Sequence, residues 1–370
     1  MYDKHYSPGQ HPDLPPPILS KGMLGWLRTN LFSNIGDTIL TVFFIWFLYQ
    51  VIPPLFEWLF IDSVWDAKSR AECWDKMVKP EDGACWAFIR DRFGLFIYGF
   101  YPAAERWRVN LSFILLVIAL VGVLGDLMPG KKEKWLAFAC FFPFLSAWLL
   151  IGGIGLVPVE TDQFGGVMLT LIIGVAGIVG SLPIGIALAL GRRSKMPVLR
   201  TLCVVFIEFF RGIPLIALLF VASTMLNYFL PPGTTFDLLL RVLIIVVLFS
   251  SAYIAEVVRG GLQGIPFGQY EAASSIGLNY WKAHRLIILP QALQISIPGI
   301  VNTFIGLFKD TTLVIIIGLM DPLGIGRASL ADPDWVGLAR EVYIFVGIFF
   351  FICCFLMSRY SLNLEKKLGK

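Results

Sequence analysis

The chain has 370 residues, of which 57% are hydrophobic and only 15% charged, with a net charge of +4. A soluble domain averages about a quarter charged residues, so this composition excludes an ordinary water-soluble enzyme. The modest positive charge does not require nucleic acid as a partner.

Residues 1–36 form a polar stretch rich in proline (Pro8, Pro12, Pro15, Pro16, Pro17). No apolar h-region or small-residue cleavage site precedes the first long apolar run, so no signal peptide is expected to be removed. A tail of this composition buries too little surface to fold, and partial disorder is expected of it. About 20 apolar residues span the hydrocarbon core as a helix. Eight candidate spans follow: 39–60, 111–128, 135–157, 167–190, 202–230, 238–258, 295–317 and 342–357. The expected fold is an all-α polytopic membrane protein of about eight transmembrane helices.

Lys and Arg in the short connections orient such a chain, because cytoplasmic loops carry the excess of them. With the N-terminus inside, the inner connections hold Lys131, Lys132 and Lys134, then Arg192, Arg193, Lys195 and Arg200, then Arg259, Lys282 and Arg285. The inner tail holds Arg359, Lys366, Lys367 and Lys370. The outer connections 158–166 and 231–237 hold none, and 318–341 holds Arg327 and Arg340. Both termini are therefore expected in the cytoplasm, with loop 61–110 outside.

Loop 61–110 carries eight basic and eight acidic residues and exerts no strong translocation bias. Its aromatics (Trp86, Phe88, Phe93, Phe96, Tyr98, Phe100, Tyr101) suit the membrane interface, where one end of the ring is apolar and the other wet. Cys73 and Cys85 share this loop. In an oxidising compartment they form a candidate disulfide, two free thiols being the alternative. Cys140, Cys203, Cys353 and Cys354 lie in apolar segments and read as small core residues. His5, His11 and His284 are scattered and join no ligand cluster, so no metal is expected.

Gly125–Lys131 matches a phosphate-binding loop up to residue 132, which is Lys where Ser or Thr should hold magnesium. The stretch follows an apolar span instead of a strand, and a basic cytoplasmic turn is the better reading. No nucleotide site is expected on this chain. Gly174, Gly177 and Gly180 recur every third position in GVAGIVG and allow close helix contact.

Two spans carry charge. Glu208 and Arg211, then Glu256 and Arg259, both have the form Glu-x-x-Arg-Gly, and a spacing of three puts the two side chains on one helix face. A lone charge at the bilayer centre costs roughly 2.5–3.5 kcal/mol on the insertion scale, so such groups pair or face a wet cavity. Structural ion pairs and lining of a translocation path both fit. Lys309, Asp310, Thr311 and Thr312 make a further polar break, with a hinge and path lining equally open; a broken or re-entrant helix is tolerated only against protein or a cavity. Pro214, Pro290 and Pro298 supply bends.

A polar stretch, Glu271–Pro290 (EAASSIGLNYWKAHRLIILP), lies between two long apolar segments on the inner side. Its Glu271-Ala272-Ala273, Gly277, Ile287 and Leu289-Pro290 resemble, position for position, the EAA loop of permease subunits in bacterial ABC importers. The resemblance extends over residues 163–360 to the permease domain of polar amino-acid uptake systems. With its three added N-terminal spans, the chain is similar to the longer permease subunit of general L-amino acid transporters.

The resemblance implies a five-helix type I importer core over residues 161–362, with the coupling loop at 263–290. It implies a preceding three-helix extension over 37–160 and a basic tail at 363–370. It also implies no catalysis on this chain, ATP and magnesium being bound by a partner ATPase dimer. A homologous second permease, a periplasmic substrate-binding protein and an L-amino acid substrate complete the implied assembly in the bacterial inner membrane. Glu271 would meet the ATPase, Ala272 and Ala273 would keep a helix face small, and Gly277 would end the short helix. A gradient-driven transporter and a membrane scaffold are the rival readings. Neither requires the Glu271–Pro290 pattern.

Overall fold

A computed structural model describes residues 22–77, 82–125, 132–225, 228 and 236–368. Most of the expected proline-rich tail and most of the lysine turn at 125–132 lie outside these residues. Among those described, helices dominate and no strand forms beyond isolated bridges. Seven helices are long and apolar enough to cross a membrane, or eight if one sharply bent pair counts as a single span.

The chain falls into two compact units, residues 1–66 with 71–86, and residues 67–70 with 87–370. In the first, α1 (Gly22–Asn30) is helical, within the stretch expected to be partly disordered. Next, α2 (Ile35–Phe56) is capped by Asn34, whose side chain accepts from the Asp37 amide. No residue of α2 is buried. A helix apolar on every side is suited to lipid contact all round. After it, α3 (Arg70–Lys76) carries Cys73, joined to Cys85 as a disulfide with Cα atoms 5.9 Å apart. That separation lies within the usual range for such a bridge.

The second unit begins along α4 (Trp86–Tyr98). The interface expectation for the loop aromatics divides here. Phe93 and Phe100 are about half exposed, but Phe88, Phe96 and Tyr101 are fully buried. Phe88 packs on Trp335 and Phe96 on Phe345, with ring centroids 5.6 and 4.9 Å apart, and Tyr101 donates its hydroxyl to the Leu150 carbonyl. Packing against other parts of the chain takes these rings away from the interface.

The spans α5 (Arg106–Leu124) and α6 (Lys132–Ile151) pair side by side, with Ser112 and Ser146 hydrogen-bonded at 2.8 Å where they meet. The third apolar run was expected to reach 157 but stops at Ile151. Gly152 and Gly153 there adopt φ +81° and +106°, a left-handed backbone that ends a helix. Then α7 (Gly166–Arg192) packs against α10 (Leu238–Gln263), the pair forming the centre of the unit. A Cβ on Gly177 would meet Leu307 and Val246, and one on Gly180 would meet Val247, so these glycines set the helix spacing.

Between α7 and α10 the expected span 202–230 is not one straight helix. Instead α8 (Pro197–Gly212) and α9 (Leu215–Phe220), the latter continued by a π turn to Met225, meet at 99°. Pro214 follows Ile213, whose backbone is extended at φ −111° and ψ 131°. Proline disfavours the helical region for the residue before it, which places the corner there.

Beyond α10 come α11 (Phe267–Ser275), α12 (Tyr280–Ala283) and α13 (Leu289–Asp310). A π turn at His284–Ile288 joins the last two, and a 3-10 helix at Thr311–Ile317 continues α13. The polar break at 309–312 therefore narrows the helix without re-entering; Thr311 and Thr312 bond back to the carbonyls of Phe308 and Lys309. Outside the spans, α14 (Pro322–Ser329) is capped by Asp321. Burial pushes that carboxyl up to about 6. Finally α15 (Ala339–Leu368) returns across the membrane thickness.

Gly261 on α10 is pressed against α13: an added Cβ would lie 2.1 Å from Ser296 Oγ and 2.4 Å from the Ala292 carbonyl oxygen. Gly261→Ala should cost on the order of 1–3 kcal/mol by overpacking, read as a lower unfolding midpoint in detergent. Gly347→Ala on α15, where nothing lies within 4 Å, should leave that midpoint unchanged.

Candidate functional site

The Glu271–Pro290 stretch folds as two short helices and a turn. Gly277 takes φ +75°, its amide donates to the Ser274 carbonyl and the Leu278 amide to that of Ala273. This is the left-handed closure that ends a helix. Asn279 then caps α12 through the Lys282 amide. The span after it begins at Tyr280 and runs unbroken to Ile317, 38 residues in all. At 1.5 Å per residue that is nearly twice the ~30 Å hydrocarbon core. The span is longer than the hydrocarbon requires, and its first turns carry Ile287, Leu289 and Pro290.

The two alanines separate. Ala273 is 1% accessible and faces this chain's own interior, whereas Ala272 is exposed. Adjacent helix positions point about 100° apart, so the pair does not supply one small outward face as expected. The outward surface is instead large and apolar: Phe267, Ile276, Trp281 and Leu286 are each more than 60% exposed. A concave notch beside them is lined by Phe267, Tyr270, Glu271, Ser274 and Ser275. None of these four apolar residues stood out in the sequence. Their signal was available: large apolar side chains in a polar connection with no opposing helix of their own.

The stretch is tied to the spans. Gln291 donates to Gln269 at 3.1 Å and to the Ile287 carbonyl at 2.9 Å, joining α11 to the head of α13. Tyr270 donates to the Leu262 carbonyl and receives a hydrogen bond from Arg193, each at 3.3 Å.

The charged residues of the spans gather around Glu256. Arg259 Nε bonds both of its oxygens at 3.1 Å, Arg192 Nη1 lies 2.8 Å from Oε1, and Arg211 Nη1 lies 3.7 Å from Oε2. Arg192 also bonds Glu208 at 2.9 Å. The two Glu-x-x-Arg-Gly stretches thus behave differently. Glu256 holds its own Arg259, but Glu208 and Arg211 turn to partners on other helices. The carboxylate on α10 lies within reach of cations from α7 and α8, and three guanidinium groups converge on it. Arg192 read in sequence only as an inner-side positive charge. Lys309, Asp310 and Thr311 have no hydrogen bond or ion pair to this cluster.

Comparison with known proteins decides the family. The model of the family "binding-protein-dependent transport system inner membrane component" matches residues 181–370. An inner membrane amino-acid ABC transporter permease protein of Escherichia coli K12, YhdY, is 49% identical over 358 residues, covering 96% of both chains. The glutamate/glutamine/aspartate/asparagine transport system permease protein BztC of Rhodobacter capsulatus is 46% identical, again over 96% of each. This chain belongs to that permease family. A solved structure described as an amino acid ABC transporter with histidines is 27% identical, at a TM-score of 0.48, over 54% of this chain and 91% of that one.

As a binding-protein-dependent permease, the chain is a multi-pass inner membrane subunit of an ABC importer and not an enzyme. ATP is hydrolysed by a separate subunit, and a binding protein delivers the solute. Within this permease Glu256 is 15% exposed and Glu208 53% exposed at the side chain. Glu256→Gln leaves three arginines without their shared anion and should cost on the order of 3 kcal/mol, whereas Glu208→Gln should cost less than about 1 kcal/mol. Thermal inactivation of the two purified variants in one detergent checks the order.

Proposed function

We propose that this chain is the long permease subunit of an ATP-driven importer of L-amino acids, and that its 267–290 segment is the handle gripped by the ATPase. The observation that carries this reading is the set of exposed apolar side chains Phe267, Ile276, Trp281 and Leu286, the last two of them on a helix continuous with a membrane span. Exposed patches of this kind mark binding surfaces, and a lever stiff enough to move a span has to share its helix.

The basic residues at the inner connections support a cytoplasmic position for the handle and for both termini. Amino acids as substrates are supported by the names of the two full-length relatives. ATP and magnesium belong to the partner ATPase in this reading, and Glu271 meets its groove at the notch. A homologous second permease is supported by α8. Leu202, Val205 and Phe209 are exposed on that helix beside Glu208, whose side chain is half accessible. A carboxylate so placed is costly against lipid and suits a face covered by a partner helix or bordering a wet path. The Cys73–Cys85 bridge fits the oxidising outer side.

Glu271→Arg tests the reading. Reversing a charge in a docking groove costs several kcal/mol, so the ATPase subunit should no longer co-purify and ATP-driven amino-acid uptake should fall more than about tenfold. Uptake driven equally well by a cation gradient with no ATPase present would favour a secondary transporter and overturn the proposal.

A further inference from the structure

We propose that Arg192 and Arg193 form a two-armed relay, carrying displacement of the ATPase-docked helix into the charged cluster of the membrane core. The proposal rests on the docking reading above and adds which residues transmit its movement.

The two arginines are consecutive at the cytoplasmic end of α7, and their side chains go to different elements. Arg193 reaches outward to α11, where its Nη1 donates to the Tyr270 hydroxyl at 3.3 Å and its guanidinium lies 6.0 Å from the Tyr270 ring centroid. Arg192 reaches inward, bonding Glu208 of α8 at 2.9 Å and Glu256 of α10 at 2.8 Å. Tyr270 belongs to the surface proposed to meet the ATPase, lining the same notch as Glu271. Glu256 in turn holds Arg259 and Arg211. One helix end therefore touches the docking element with one residue and two carboxylates, on two further helices, with the next.

Such an arrangement can have two discrete states. The cluster holds three arginines against two glutamates, so Glu256 can exchange one guanidinium for another without being left bare. Glu208, half exposed within this chain, is held less tightly than Glu256 and can release Arg192 at lower cost. Backbone continuity converts a shift of Arg193 with α11 into a shift of Arg192 between its two carboxylates. A merely structural cluster would have no need of a link to the docked helix. Spatial linkage alone is not coupling, and a relay is shown by an equilibrium that both ends bias.

The test uses the whole importer, with permease, ATPase subunit and binding protein reconstituted in vesicles, and reads ATP consumed per amino acid imported. Arg192→Gln should leave the ATPase subunit bound but raise that ratio several-fold. Arg192→Lys keeps the charge while losing the planar fork and should restore the ratio in part. Tyr270→Phe removes the hydroxyl that Arg193 donates to, together with its own bond to the Leu262 carbonyl, and should raise the ratio in the same direction by less. If Arg192→Gln fails to assemble, Tyr270→Phe and Arg192→Lys still decide. Uptake and hydrolysis falling together, with the ratio unchanged in all assembled variants, would overturn the relay. Loss of ATPase binding is read separately from Glu271→Arg, so failure of the docking reading is distinguishable from failure of the relay.

Discussion

A carboxylate inside a membrane helix has to be satisfied by cations from its neighbours, and in this permease that requirement organises one end of the core. Glu256 draws in arginines from α7, from α8 and from its own helix, α10. Each of those helices is apolar along most of its length, and apolar packing in lipid supplies little preference for one partner over another. The converging charges supply that preference. They fix which helix ends lie together and at what depth.

The glycines complete this constraint. Gly177 and Gly180 let α7 approach its neighbours, and Gly261 lets α10 meet α13 at a distance where even a methyl group would strike backbone. With the three helices held closely at one end, the long segment from Tyr280 to Ile317 can project beyond the hydrocarbon and remain mechanically part of the bundle. Gln291 bridges that projection to α11, and Tyr270 ties α11 back to the end of α10. The 267–290 segment is thereby braced from two sides and is not a free loop.

Much of this was legible in sequence, for reasons of periodicity and chemistry. The apolar runs declared the spans, and the spacing from Glu271 to Pro290 declared the family that the comparisons then established. Three features were hidden. The corner at Ile213–Pro214 turns one expected span into two helices at 99°; the proline signals a bend but not its size. The burial of Ala273 depends on the angle at which α11 lies on the bundle, which no local pattern encodes. The exchange of partners, Glu208 to Arg192 and Arg211 to Glu256, depends on three helices meeting in space. Same-face spacing within one helix permits a pair, but a better-placed cation on a neighbour wins.

The central claim is that the 267–290 segment is gripped by a separate ATPase on the cytoplasmic side. Ser274 lies exposed in the notch beside Glu271. Cysteine placed there in a functional variant can be alkylated by a membrane-impermeant maleimide in inside-out vesicles, with and without the ATPase subunit. The account predicts rapid labelling of the permease alone and strong protection once the ATPase is bound. Equal labelling in both cases, or labelling only from the outer face, would contradict it.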